Sequence, residues 1–168
     1  KKARRLGADI VFIDEFGYSF AEDLAPTWTP RGQTPILKRV TKFRREISTF
    51  AGLSISGRIY KRHVKGSIKT PDVLAGLQQF RRQIKRPFIL IWDRSRVHRS
   101  RRVQAYLADC PDIMMEYLPS YAPELNPEEY CHATVNHRLK NLNPDDVGTI
   151  RRNLDKEFAK LRKQPEVL

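Results

Sequence analysis

Three acidic residues stand where carboxylates can act together. Asp14 and Asp93 each end a short apolar run typical of a buried strand, and Glu129 lies in the first turn of a helix expected to begin near Pro127. Ligands gather at the carboxyl ends of strands in an open sheet, so Asp14 and Asp93 share an edge if their strands are neighbours. Two carboxylates about 4 Å apart repel by roughly 4 kcal/mol, so such a cluster needs cations or must hold a proton.

The ligand type indicates which cations and which chemistry would suit this cluster. Hard oxygen ligands select Mg²⁺ or Mn²⁺ over zinc. Two such ions, roughly 3.5–4 Å apart, can activate a water or a 3′-hydroxyl and stabilise the leaving oxygen of a phosphodiester. A structural alternative stays open for each acid taken alone, because an aspartate after a strand often serves as a turn residue or cap, and a glutamate in a first helical turn suits the helix dipole.

The apolar pattern predicts the elements that carry these acids. Residues 10–14 form a branched apolar run typical of a buried strand, and residues 18–20 begin or continue a second. Residues 47–55 and 58–64 are two extended runs around Ser56-Gly57, which is a hairpin signal.

The second half of the chain alternates helices with strands. Thr70 and Pro71 resemble an N-cap followed by proline at the first helical position, and apolar residues at helical spacing continue to Ile84. The same criteria predict a strand at 88–92, a short basic helix at 98–107, a strand at 113–118, a loop at 119–127, a helix from about 127 to 139 and a last helix opened by Asn143-Pro144.

This element order predicts an α/β protein with a mixed sheet. An antiparallel hairpin group followed by strand–helix–strand units implies a sheet flanked by helices. Periodicity alone leaves several mixed α/β folds open, but the order matches the five-stranded ribonuclease-H-like fold. No repeat or boundary divides residues 1–168, so we expect a single domain.

Composition narrows the class of partner. The formal net charge is +13, which attracts polyanions, and nucleic acid is the usual partner of such a protein.

Cys110 and Cys131 form no C-x-x-C pair, and we expect two reduced thiols. The sequence contains no signal-peptide pattern and no apolar stretch near the ~20 residues of a membrane span, so we expect an intracellular protein.

Three sequence blocks resemble one enzyme family. I-V-F-I-D-E-F-G-Y-S-F at 10–20 with W-T-P-R-G-Q-T-P at 28–35, F-I-L-I-W-D-R-S-R-V-H-R-S at 88–100 and L-P-S-Y-A-P-E-L-N-P-E-E at 118–129 are similar to blocks of mariner-like and bacterial insertion-sequence DDE transposases. Thirty-five residues separate Asp93 from Glu129, within the range usual for the superfamily. The resemblance covers positions 10 to about 141.

The resemblance implies a function and a location. It implies a ribonuclease-H-like domain that uses two Mg²⁺ ions, with Mn²⁺ as a substitute, to hydrolyse phosphodiester bonds at transposon ends and join the 3′-hydroxyl to target DNA. Asp14 and Asp93 would each ligate metal, with Asp93 bridging the pair and Glu129 on the second ion. We expect the cytoplasm or nucleoid of a bacterium rather than a nucleus.

The sequence departs from the family pattern at three positions. Arg94 stands where relatives often carry asparagine, Glu128 where isoleucine is common, and His132 where tryptophan is common. The three carboxylates are retained, so we still expect a catalytic site. A ribonuclease-H-like nuclease without strand transfer and a domesticated or decayed DNA-binding protein remain as alternatives.

A basic cluster follows the second acid. We expect phosphate contacts from its side chains, and a solvated basic helix face is the alternative. His98 contacts the scissile phosphate or, as we favour, orients a neighbouring group. The predicted nucleic-acid-binding residues are Arg94, Arg96, His98, Arg99, Arg101 and Arg102.

The remaining polar residues have structural interpretations. Glu15, Glu124 and Glu128 are expected to support the site rather than to catalyse. A zinc site fits no known spacing of the available ligands, which are His98, Cys131, His132 and His137.

Residues 21–45 form a long excursion for a single domain. Mariner-like relatives use the matching region to clasp a partner subunit, so Trp28 is a candidate interface residue and we expect a homodimer, at least on DNA. Relatives carry helix-turn-helix modules ahead of the catalytic domain, so we expect this chain to be a fragment that lacks them.

Overall fold

A single mixed sheet forms the centre of the molecule. The structure is a computed structural model that describes residues 2–19, 26–34, 36, 45–120, 122–140, 142, 144 and 146–164. Within these residues, five strands pair in the order β3-β2-β1-β4-β5, where the strands are β1 (Asp9–Ser19), β2 (Arg45–Ser54), β3 (Ile59–Lys65), β4 (Phe88–Trp92) and β5 (Ile113–Tyr117). The predicted α/β class and five-stranded ribonuclease-H-like arrangement are confirmed.

The first three strands form an antiparallel meander. β1 runs without interruption through Gly17, so residues 18–19 continue the first strand rather than begin a second. The β2–β3 turn lies at the predicted position, and Gly57 adopts a left-handed backbone with φ +75°, which glycine tolerates without strain.

The last two strands run parallel to β1 and lie on its other side. β4 pairs with β1 from Asp9↔Phe88 to Phe12↔Ile91, and β5 pairs with β4 along its full length. Because β1 and β4 are parallel neighbours, Asp14 and Asp93 leave the sheet at the same edge, as expected.

Helices connect the parallel strands and cover both faces. They are α1 (Lys2–Leu6), α2 (Thr70–Ile84), α3 (Arg101–Ala108), α4 (Pro127–Leu139) and α5 (Val147–Leu161). The sequence pattern did not indicate α1.

Three helix starts differ from the prediction, and the first is that of α3, which begins at Arg101 after the N-cap Ser100 rather than at residue 98. In α2 the N-cap is Lys69, not Thr70, and its backbone N–H donates to the Asp72 carboxylate at 2.9 Å. In α5 the N-cap is Asp146, whose carboxylate accepts from the Thr149 N–H at 2.9 Å. In α2 and α5 an aspartate that satisfies an orphan N–H decides where the helix begins.

Each face of the sheet has its own apolar core. Val11 and Ile13 of β1 pack with α2 and α3, whereas Phe16 and Tyr18 pack with α4 and α5. Side chains alternate between the faces along a strand. The neighbours Asp14 and Glu15 therefore face opposite sides, with Asp14 towards α4 and Glu15 towards α3.

One helix approaches the sheet very closely. A Cβ atom on Gly76 of α2 would lie 2.3 Å from the Phe50 ring, and that ring is fully buried and stacked on Phe80 at 5.2 Å. Glycine is therefore required at this position, although alanine is the better helix former.

Cys110 and Cys131 are free and belong to different cores, as expected for reduced thiols. Much of the predicted inserted segment 21–45 lies outside the described residues, but Trp28 is described and its side chain is fully exposed. No helix in the described part of the chain is both long and apolar enough to cross a membrane.

Candidate metal and nucleic-acid site

Three carboxylates from three separate segments line one cleft. Asp14 lies on β1 just beyond its pairing with β4, Asp93 is the first residue after β4, and Glu129 lies in the first turn of α4. The cleft has a volume of about 570 Å³, and we call it the acidic cleft. It is also lined by Arg94, Ser95, Arg99, Leu118, Pro119, Ser120, Ala122, Pro123 and Asn126.

Asn126 fixes the start of α4 against β1. Its side-chain oxygen accepts from the Glu128 N–H at 3.2 Å and caps the helix, while its amide nitrogen lies 3.4 Å from the Ile13 carbonyl. Pro127 occupies the first helical position, where its missing N–H costs nothing. The residue before Asp14 is thereby tied to the turn that carries Glu129.

Asp14 has the electrostatic character of a cation ligand. Burial raises its pKa to about 7 against the opposing effect of His132, and the nearby Glu129 carboxylate adds to the rise. Oxygens of Asp14 and Glu129 lie within 4.8 Å of each other and of a ring nitrogen of His132. A divalent cation would relieve the repulsion between the two carboxylates, so this donor set fits Mg²⁺ or Mn²⁺.

Asp93 is held by a histidine from the following loop. His98 Nδ1 donates to Asp93 Oδ1 at 2.6 Å, and His98 Nε2 donates to Glu15 Oε1 at 2.5 Å. The hydrogen bond from His98 lowers the pKa of Asp93. Burial alone would lower the pKa of His98, but its bonds to Asp93 and Glu15 raise it to about 9. His98 is therefore an imidazolium that joins Glu15 within β1 to Asp93 after the end of β4.

The position of His98 favours support over direct contact with DNA. Its ring is 1% exposed and stacks on Trp92, with 3.9 Å between the ring centroids and 7° between the planes. Both ring nitrogens are occupied by carboxylates. The geometry therefore supports the role of orienting Asp93.

A second buried histidine lies on the other side of Asp14. His132 Nδ1 lies 3.6 Å from Asp14 Oδ2, and His132 Nε2 lies 2.5 Å from Glu128 Oε2. Burial raises the pKa of Glu128 well above its ordinary value and lowers that of His132 to about 4. Burial therefore disfavours the charged form of both groups, and the short contact between them lacks hydrogen-bond geometry.

The sequence analysis identified Glu128 and His132 as departures from the family pattern and expected Glu128 to support the site, but it did not pair the two residues. Their spacing of four residues places both on one face of α4, and that spacing was the available signal. Among the described residues, the His, Cys, Asp and Glu groups that could hold a metal ion reduce to Asp14, Glu129 and His132. The four residues considered for a zinc site are not gathered, since His98 and His132 lie on opposite faces of the sheet and His137 is exposed.

The predicted basic residues lie around the acidic cleft and beyond it. Arg94 and Arg99 line the cleft, and the Arg94 guanidinium lies 5.6 Å from the centre of the Tyr117 ring. Arg96, Arg101 and Arg102 are exposed but do not line the cleft. Glu124 is also exposed, in a 3-10 turn before α4.

Comparison with known proteins places this architecture among DNA-processing enzymes. Residues 9–151 match the model of a family described as DDE superfamily endonuclease. No curated protein matches the sequence.

Solved structures of Mos1 transposase share the fold. The chain is similar to a Mos1 paired-end complex with the left transposon end (TM-score 0.70, 20% identity, covering 98% of this chain and 56% of that one). It is also similar to a Mos1 strand transfer complex, with a TM-score of 0.65 and 22% identity, covering 94% of this chain and 52% of that one. The catalytic domain of Mos1 mariner transposase gives a TM-score of 0.67 and 18% identity, covering 99% of this chain and 82% of that one. The chain thus spans about half the length of the Mos1 chains in those complexes.

Proposed function

Because this chain belongs to the DDE superfamily endonuclease family, we propose that it is the catalytic domain of a transposase that cuts transposon ends and joins the 3′-hydroxyl to target DNA. The observation that carries this proposal is the convergence of Asp14, Asp93 and Glu129 on one cleft from three separate segments. The Mos1 structures described as paired-end and strand transfer complexes support the two halves of the reaction.

Two divalent ions would complete the site. Asp14, Asp93 and Glu129 would hold these ions between them. Bound ions would activate a water or 3′-hydroxyl and stabilise the leaving oxygen of the phosphodiester. The approach of Asp14 and Glu129 to one another supports a divalent cation at this site, as do Mos1 paired-end complexes described with Mg and with Mn.

The protein's own side chains would orient the reactants. His98 fixes the Asp93 carboxylate in one rotamer, and Asn126 fixes the turn that carries Glu129. Arg94 and Arg99 would bind the DNA backbone at the mouth of the cleft, where contact with phosphates supplies affinity without base specificity. Arg96, Arg101 and Arg102 would extend that contact along the exposed surface.

Paired action on two transposon ends would require a homodimer, at least on DNA. The fully exposed Trp28 is a candidate for the partner contact, since a large apolar ring in water gains free energy by burial in an interface.

Plasmid nicking tests the carboxylate site directly. Supercoiled DNA with Mg²⁺ or Mn²⁺ should be nicked by the wild-type chain, and Asp93→Asn should reduce the rate by about a hundredfold or more. Asp109→Asn, an exposed aspartate at the end of α3, is the matched control and should cut normally. Equal nicking by Asp93→Asn would contradict the assignment.

Strand transfer requires a second assay. Pre-cleaved ends supplied with a target plasmid should become joined to it in the presence of metal. Nicking without joining would identify a nuclease, and DNA binding without either activity would identify a repurposed DNA-binding protein.

A further inference from the structure

The Glu128–His132 pair is not explained by the three carboxylates alone. Glu128 is fully buried and His132 is 4% exposed, yet both are polar and face the apolar core between α4 and the sheet. Burying polar groups there costs free energy unless they interact with one another or with a ligand. The Nδ1 atom of His132 faces the Asp14 carboxylate.

We propose that His132 Nδ1 is a nitrogen ligand of a divalent metal held with Asp14 and Glu129, and that Glu128 orients its ring. This inference rests on the proposed function, because it concerns the same acidic cleft, and it adds a ligand to that site.

The distances suit shared coordination. Two donor atoms bound to one ion at about 2.1 Å each lie roughly 3 to 4 Å apart. His132 Nδ1 and Asp14 Oδ2 are 3.6 Å apart, and Glu129 offers an oxygen within 4.8 Å of both residues. Small rotations of the Glu129 side chain, which is exposed, bring the third donor into range.

The other ring nitrogen has the partner that a metal-bound histidine requires. Metal-ligating histidines almost always give their second N–H to a carboxylate or carbonyl, which fixes the ring and makes the ligand more basic. Glu128 Oε2 lies 2.5 Å from His132 Nε2, within reach of that proton, although the two atoms do not have hydrogen-bond geometry in the structure. Phe16 packs against the ring with 4.1 Å between centroids, so the ring cannot turn away from Asp14.

Coordination also defines where the protons go. Binding through Nδ1 uses its lone pair, so the ring carries its proton on Nε2, where it faces Glu128 Oε2.

A nitrogen ligand changes which metal the site prefers. Mg²⁺ favours oxygen donors, whereas imidazole strengthens binding of transition metals. The site should therefore favour Mn²⁺ over Mg²⁺ more strongly than a site made of carboxylates alone.

Pulsed electron paramagnetic resonance of Mn²⁺ bound to the wild-type chain tests the ligand directly. We expect nitrogen hyperfine coupling from a directly bound imidazole, lost in His132→Gln and retained in His137→Gln, which changes an exposed histidine on the same helix. Bound Mn²⁺ without nitrogen coupling, or coupling that persists in His132→Gln, would overturn the inference while leaving the proposed function intact. No Mn²⁺ binding would overturn both.

Calorimetry gives a second readout that does not depend on catalysis. His132→Gln should raise the Kd for Mn²⁺ roughly tenfold or more, with a much smaller effect on Mg²⁺. Glu128→Gln should also raise the Kd for Mn²⁺, because a neutral amide orients the ring less strongly. Equal changes for the two metals in His132→Gln would contradict a nitrogen ligand. The wild-type spectrum decides the question even if a variant fails to fold.

Discussion

His98 and His132 lie on opposite faces of the sheet, and each contacts two carboxyl groups. His98 is 1% exposed and bridges Asp93 and Glu15, while His132 is 4% exposed and lies between Asp14 and Glu128. Their pKa values nevertheless move in opposite directions, to about 9 for His98 and to about 4 for His132.

The partners differ more than the histidines do. The side chains of Asp93 and Glu15 are 61% and 22% exposed, and both groups raise the pKa of His98. Glu128 is wholly buried, and burial raises its pKa well above its ordinary value. Burial that favours the uncharged form of a carboxyl group weakens its ability to stabilise a proton on the neighbouring ring.

The solvation of the partner therefore decides the charge of a buried histidine. The charged histidine is a clamp that joins Glu15 within β1 to Asp93, the residue after β4. The neutral one has a nitrogen available for a cation, which is the state that a metal ligand must reach.

Removal of the clamp should have the largest effect on stability. His98→Ala leaves Glu15 and Asp93 facing each other without the cation between them, and it removes the ring stacked on Trp92. The free energy of unfolding, measured with urea, should fall by about 3 kcal/mol. His137→Ala is the control, and an equal loss in both variants would contradict the clamp.

Alkaline pH should weaken the same contact. The pKa of His98 rises from 6.5 to about 9 on folding, so its contribution is complete below pH 6.5 and is lost as the pH rises through 9. The loss reaches about 3 kcal/mol at most. The difference in unfolding free energy between wild type and His98→Ala should therefore shrink across this range.

His132 should show the reverse dependence. Its pKa is lowered on folding, so the unfolded chain takes up the proton first and stability falls as the pH drops from 6.5 towards 4. In protein freed of divalent ions, residue-assigned nuclear magnetic resonance titration should place the pKa of His98 near 9 and that of His132 near 4, and burial lowers the pKa of His63 to about 4 as well. Titration of both His98 and His132 near 6.5 would remove the basis of the comparison.

The sequence predicted the elements whose ends are marked by side-chain chemistry. β4 has the predicted bounds because Pro87 precedes its apolar run and Asp93 ends it. The length of β1 was underestimated because Gly17 resembles a break, although the ladder with β2 continues through it. The starts of α2 and α5 were misplaced because capping depends on which side chain reaches the free N–H.

The site was predictable only in its outline. The parallel pairing of β1 and β4 follows from the element order, so the approach of Asp14 to Asp93 could be expected. The burial of Glu128 and His132 could not, because the buried face of α4 mixes polar residues with Cys131 and Val135 and shows no apolar stripe. Periodicity cannot identify a buried face when that face carries polar groups.

Neutralising one partner of the clamp should have a smaller effect than removing the histidine. Glu15→Gln keeps an acceptor 2.5 Å from His98 but removes a charge, so the pKa of His98 should fall by about one unit. Stability near pH 7 should decrease by about 1 kcal/mol. Glu124→Gln, at an exposed glutamate, should change neither quantity, and an unchanged His98 pKa in Glu15→Gln would mean that Asp93 alone holds the proton.

The neutral pair should tolerate apolar replacement, unlike the clamp. Glu128→Leu alone leaves a buried ring nitrogen without a partner and should cost about 2 kcal/mol. Adding His132→Phe removes that nitrogen, so the double variant should return to within about 1 kcal/mol of the wild type. A double-mutant cycle measures this recovery as a coupling energy.

Metal binding by the double variant shows whether the Glu128–His132 pair serves the fold or the cation. If the double variant folds as well as the wild type but binds Mn²⁺ more weakly, the polar pair exists for the cation and not for the fold. A double variant that is about 2 kcal/mol or more less stable than the wild type would instead show that the contact between Glu128 and His132 holds α4 to the sheet. Apolar residues cannot replace the His98 clamp in the same way. The Asp93 carboxylate faces water, and an apolar residue in its place would expose apolar surface to solvent.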